Sequence, residues 1–190
     1  MIRNVLFPNV ASWPEYIKRP VQKAEAIEPI IQQIFDQVKK EGDAGLKAVT
    51  ARLDKVDLSE LYVRPAEIMQ ADSIVSLILK TAIQTAAQNI RKFHQAQPEA
   101  IVKIETMPGV TCWRKSVPID RVGLYIPGGS APLFSTLLML GIPAQVAGCS
   151  EILLCTPPNK NGQVHPAILY TAQLLGQHLL LSLPDQKFVE

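Results

Sequence analysis

The 190-residue sequence is poor in the residue types that mark a specialised surface. It has three cysteines, which cannot all pair, so a disulfide scaffold is excluded. Cys112, Cys149 and Cys155 stand among apolar neighbours and are expected to be buried, reduced thiols of a cytoplasmic protein. Aromatic residues make up 6% of the chain, and 19 Lys and Arg face 17 Asp and Glu for a net charge of +2. That balance gives no field pointing to nucleic acid or to an anionic membrane. Residues 1 to 16 hold no apolar run of the kind a secretory signal needs. No internal repeat or low-complexity tract is present. What the chain has instead is 47% apolar residues, enough to build a globular core at this length.

The charge is unevenly placed. Of 36 charged residues, 30 lie in the first 120 positions, and the 29 residues between Arg121 and Glu151 carry none. A membrane helix does not account for this stretch, because Pro127, Pro132 and Pro143 with Gly128, Gly129 and Gly141 interrupt it. A strand, turn, helix and strand packed on both faces, as in a parallel α/β sheet, fits better.

Periodicity supports that division. Ile27, Ile30, Ile31, Ile34, Phe35 and Val38 form one stripe at helical spacing, so a helix is expected over 26–40, stopped by Gly42. Leu46, Val49 and Leu53 resume a stripe to about Asp54. Pro65 with Glu67 opens a short helical turn. Asp72 or Ser73 then caps a long helix, with Ile74, Leu77, Ile78, Thr81, Ala82, Thr85, Ala86, Ile90 and Phe93 tracking its buried side towards Pro98. Alternation from Ile101 to Glu105, a Pro108-Gly109 turn and Val110 to Val117 read as a β-hairpin. Val122–Ile126 and Ile152–Cys155 read as short strands, and Leu133–Ala147 and Pro166–Leu175 as helices. The order strand, helix, strand, helix is that of a right-handed βαβ unit. The fold class is therefore α/β, a helix-rich amino-terminal part followed by an incomplete Rossmann-like unit.

Chemistry concentrates at Tyr125-Ile126-Pro127-Gly128-Gly129-Ser130-Ala131-Pro132, between the first of those strands and its helix. Glycines without Cβ let the backbone turn sharply and present N–H groups to an anion, and a helix N-terminus adds about half a positive charge. Two readings stay open, a phosphate cradle and a plain tight turn. The segment is not a Walker A loop, since Gly129-Ser130 stands where Lys-Ser/Thr is needed, and it is not GxGxxG. The acidic ribose partner expected about 20 residues on is also missing.

The run RVGLYIPGGSAPLFSTLLMLGIPAQVAGCSEILLCTPP, residues 121–158, resembles the signature block of histidinol dehydrogenases. Lys18-Arg19-Pro20, Gly42-Asp43, Arg52-Leu53-Asp54-Lys55, Phe93-His94 and Glu105 to Val110 resemble the same family in the same order, so the likeness spans about residues 18–176. It implies NAD-dependent oxidation of L-histidinol to L-histidine at the end of histidine biosynthesis, by a zinc-containing homodimer with Rossmann-like domains. It also implies that Tyr125 contacts NAD, with Gly128, Gly129 and Ser130 in the cofactor loop. A tyrosine at a strand's carboxyl end is suited to that role, although an ordinary core-edge aromatic would read the same way.

After Gly176 the resemblance lapses into an apolar tail, Gln177 to Glu190. The glutamine, aspartate and histidines that bind zinc in the family, and the Glu-His pair that moves protons, find no counterparts in this sequence. The three histidines do not replace them. His94 ends a long helix, His165 precedes Pro166, and His178 lies in the tail, with no zinc-site spacing among them. The expectation is an arm over 1–18, a helical part with the hairpin over 19–120, a partial NAD-binding domain over 121–176 and a divergent tail over 177–190. No catalytic residue and no zinc are expected, and NAD binding is weak or lost. The chain is expected to be inactive alone and to dimerise through an exposed sheet edge, with residues 179–183 supplying a substitute strand.

Overall fold

The computed structural model describes residues 5–18, 27–98, 100–128, 131–176 and 178–181. A single turn of 3-10 helix at Val10–Ser12 runs into the short helix α1, Trp13–Tyr16. Helix α2, Glu28–Glu41, carries the expected isoleucine stripe and stops at Gly42, whose φ of 59° suits glycine. Helix α3, Asp43–Leu53, folds back on it. The two helices meet closely at Gly45, where an added Cβ would lie 2.9 Å from both Gln37 O and Glu41 Cβ. Leu46, Val49 and Thr50 are buried from α3, whereas only Ile34 is fully buried from α2.

Pro65 opens a helix of ten residues, α4, Pro65–Ile74, and Glu67 Oε2 accepts from the Arg64 amide at 2.9 Å. Asp72 and Ser73 lie in its last turn and cap nothing. The next helix, α5, Leu77–Gln95, starts after extended Val75 and is capped by Ser76, whose Oγ accepts from Leu79 N at 3.4 Å. Its buried side also differs from the expected one. Ile83 and Ala87 are buried, with Leu79, Ala86 and Ile90 packed beside them, while Leu77, Ile78 and Phe93 are 79%, 85% and 64% exposed.

The hairpin forms as expected, with β1, Lys103–Met107, antiparallel to β2, Val110–Trp113, about a turn in which Gly109 has φ 79°. Every residue of both strands is exposed.

The second half alternates strand and helix: β3, Arg121–Tyr125; α6, Phe134–Ala147; β4, Glu151–Thr156; α7, Pro166–Leu174; and β5, His178–Leu181. The strands are parallel in the order β3-β4-β5, with Val122 opposite Ile152 and Tyr125 opposite Cys155. The strand expected from the tail begins here as β5, Leu154 pairing with Leu179, and residues 182–190 lie outside the described set. Side-chain alternation divides the sheet between two layers. On one face Leu124 and Leu154 join Ile83, Leu137, Ile142 and Ile168 from α5, α6 and α7. On the other, Tyr125, Leu153 and Cys155 pack with Leu46 of α3 and with Leu61. The α/β class stands, and covering both faces accounts for the uncharged run. Of the cysteines only Cys155 is buried. Cys149 is half-buried and Cys112, on the hairpin, is exposed. No described helix is long and apolar enough to cross a membrane.

Candidate functional site

A cleft of about 150 Å³ opens over the carboxyl ends of β3 and β4. Pro127, Gly128 and Leu133 line one side, and Pro157, Asn159 and His165 the other. Parallel sheets place their ligand sites at this edge, because the strand-to-helix turns diverge there and helix N-termini point into the gap. Gly128 is required by packing: a Cβ would lie 2.7 Å from Pro157 Cγ, closer than real Cβ contacts come. The first strand-to-helix turn therefore sits directly against the second. Gly129 and Ser130 lie outside the described residues.

The two helices that start here differ. Helix α7 is capped by His165, whose Nδ1 accepts from Ala167 N at 3.1 Å. A ring nitrogen that accepts carries no proton, so the proton of this imidazole is on Nε2. Helix α6 has Leu133 at its N-cap, no side-chain cap and no acidic residue in its first turn, so among the described residues no capping side chain satisfies its first N–H groups. Among the described residues no Lys, Arg, Asp or Glu side chain lines the cleft. An anion placed there would be held by backbone N–H groups and the helix dipole, which matches the cradle reading.

Tyr125 stands at the end of β3, two residues before Pro127, half-buried in the layer of Leu46, Leu61 and Cys155. It does not line the cleft. Of the four candidate residues the structure thus places Gly128 in the cleft and Tyr125 on the α3 side of the strand. His94, in the last turn of α5, has Nδ1 2.7 Å from Gln97 Oε1 and its ring edge-on to Phe93. Sequence reasoning missed Asn159, whose Oδ1 accepts from Asn161 N at 2.9 Å and from Gln163 N at 3.0 Å. The signal was Asn159-Lys160-Asn161-Gly162 between a strand and a helix, a pattern rich in turn formers.

Zinc is implied by the resemblance, but no three His, Cys, Asp or Glu side chains converge among the described residues. The residues present do not fit a zinc site. The cofactor fits in part. The Gly128 turn and the uncapped start of α6 suit a phosphate group, while about 150 Å³ is below the 300 Å³ or more of a typical pocket for a whole small ligand. Larger grooves lie elsewhere, about 990 Å³ along the hairpin and about 590 Å³ at the amino ends of the strands, away from the Gly-rich turn.

A family model described as histidinol dehydrogenase matches residues 17–183. The chain belongs to the histidinol dehydrogenase family. The match continues past Gly176, where the resemblance was expected to lapse, and takes in β5, which is thus a strand of the family and not a substitute supplied by a divergent tail. Histidinol dehydrogenase of Bacteroides thetaiotaomicron is 50% identical over 176 residues, 93% of this chain and 41% of its own length. A histidine biosynthesis trifunctional protein of Komagataella pastoris is 45% identical over 163 residues, 84% of this chain and 19% of its own length. The crystal structure of histidinol dehydrogenase from Elizabethkingia anophelis superposes with a TM-score of 0.86 at 50% identity, covering 92% of this chain and 41% of that one. The chain thus spans about 40% of the length of the histidinol dehydrogenases it matches.

Proposed function

We propose that the chain is the amino-terminal, cofactor-holding portion of an NAD-dependent histidinol dehydrogenase, which oxidises L-histidinol to L-histidine at the end of histidine biosynthesis. The observation that carries the reading is the Gly128 turn beside the uncapped start of α6, at the carboxyl edge of a parallel sheet in a chain of this family. NAD, when bound, accepts the hydrides that the two oxidation steps release. The part of this chain would be to hold it: backbone N–H groups at the α6 start would receive its phosphate groups, Gly128 would admit them closely, and Tyr125, at the end of β3 and outside the cleft, would meet only a part of the cofactor that extends beyond it.

The isolated chain holds the cofactor without oxidising anything. Among the described residues the one imidazole lining the cleft, that of His165, has Nδ1 engaged in capping α7, and zinc finds no set of ligands. The cleft is smaller than a typical pocket for a whole ligand, which makes cofactor binding weak. We place the protein in the cytoplasm and assign it a dimeric state. The apolar residues exposed on α5 and the hairpin support that assignment, Ile78 at 85% and Ile104 at 59% among them.

Calorimetric titration with NAD, on the wild type and Tyr125→Phe, tests the reading. Weak saturable binding that loses several-fold in affinity with the phenolic oxygen supports it. Absence of binding at 10 mM NAD removes it. Formation of NADH from histidinol by the purified chain would show that the catalytic groups are present after all.

A further inference from the structure

We infer that Asn159 is a positioning residue for the cleft, acting through Pro157 on the backbone at Gly128. Its use to the protein rests on the cofactor reading above, but the geometry does not. Four hydrogen bonds converge on this residue. Its amide donates to Gln163 O at 2.8 Å, its carbonyl accepts from Gly162 N at 2.9 Å, and Oδ1 accepts from the amides of Asn161 and Gln163. A five-residue loop is thereby closed on one side chain, and Gly162, at φ 75°, supplies its left-handed turn.

The loop is tied down at its other contacts. A Cβ on Gly162 would lie 3.6 Å from Leu58 Cδ2 and 3.7 Å from Val56 Cγ1, so this stretch rests on the segment between α3 and α4. Thr156, where the loop leaves β4, is buried, and His165 caps the helix it enters. Pro157 lies two residues before Asn159 and meets Gly128 at a distance that excludes any side chain. Where the loop stands therefore decides how near the Gly-rich turn comes to the sheet, and Asn159 decides where the loop stands.

The amides of Asn161 and Gln163 need an acceptor at Oδ1, which Asp supplies and Ala does not. Hydrogen exchange on the full 190-residue chain separates the cases. Asn159→Ala is expected to speed exchange about tenfold both in the 159–163 loop and across the β3–α6 turn at Ile126 and Gly128, with α5 unchanged as the control for folding. Asn159→Asp is expected to leave both within about twofold of wild type. Faster exchange in the loop alone, or an Asp variant that behaves as Ala, overturns the inference. Should Asn159→Ala fail to fold, Asn159→Leu, which keeps the bulk and removes the acceptor, is read in the same way.

Titration with NAD adds the functional arm. Asn159→Ala is expected to bind about tenfold more weakly, because the competent turn is populated about a tenth of the time, and Asn159→Asp to bind as wild type. Equal affinity in wild type and Asn159→Ala overturns the positioning role. A wild type that binds no NAD ends the cofactor reading, and the exchange experiment still decides whether Asn159 sets the turn.

Discussion

Gly128→Ala puts a methyl group where the two strand-to-helix turns touch. Its Cβ would lie 2.7 Å from Pro157 Cγ, and ordinary contact begins at 3.4 Å, so the turns must separate by roughly 0.7 Å. The proline ring cannot swing away as the end of a flexible side chain would, and its loop is held by the Asn159 bonds and the Gly162 contact. Overpacking of this kind costs about 1 to 3 kcal/mol. In a domain of this size each kcal/mol moves the melting temperature by about 2 to 4 °C, so a fall of about 2 to 12 °C is expected by circular dichroism. Gly109→Ala is the comparison. It sits at φ 79° with nothing within 4 Å of an added Cβ, so it carries backbone strain of about 1 kcal/mol without a clash. A Gly128→Ala variant that melts with the wild type would refute the close packing of the turns, and with it the rigid wall of the cleft.

Ile83 is fully buried between α5 and the α6–α7 layer, and Ile83→Ala is expected to lower the unfolding free energy by about 2 to 5 kcal/mol, read from urea midpoints. Ile78, on the opposite side of the same helix and 85% exposed, is expected to tolerate Ser within about 0.5 kcal/mol. Equal losses at the two positions would mean that α5 is turned the other way. Burial raises the Asp54 carboxyl above its ordinary value, so the folded chain holds that proton more tightly than the unfolded chain does. Its contribution to stability is then present at low pH and lost as pH rises through the folded value. Asp54→Asn should remove that small decline, so urea midpoints compared over about pH 4 to 6 should fall more with pH in wild type than in the variant.

Much of the fold could be read from residue order because its signals are local. The stripe of α2, the Pro108-Gly109 turn and the uncharged run from Val122 to Ser150 each depend on near neighbours, and each element stands within a residue or two of its expected place, except that β2 ends at Trp113 and not at Val117. Helix α5 was harder because it carries two apolar stripes. Leu77, Ile78 and Phe93 compete with Leu79, Ile83 and Ile90, and only the position of α6 decides between them. Its start was misplaced for a related reason. Asp72, Ser73 and Ser76 are all competent caps, and extended Val75 selects the last. In the cleft, glycine at 128 was legible as a turn former, but its need for space comes from Pro157, 29 positions away in the chain. The alternation of β3 was legible too, yet the sequence did not say which layer would receive Tyr125. That depended on Leu46 and Leu61. Asn159 was passed over because its four bonds are made within an exposed loop, where polar residues usually face water.

The central claim is that a cofactor cleft stands at the carboxyl edge of the β3-β4-β5 sheet, walled by the Gly128 turn and the Asn159 loop. The direct measurement is an isothermal titration of the purified 190-residue chain with NAD, run beside Gly128→Ala. The expected result is one weak, saturable site in the wild type and a several-fold loss in the variant. No heat of binding up to 10 mM, or binding that Gly128→Ala leaves untouched, would contradict the claim.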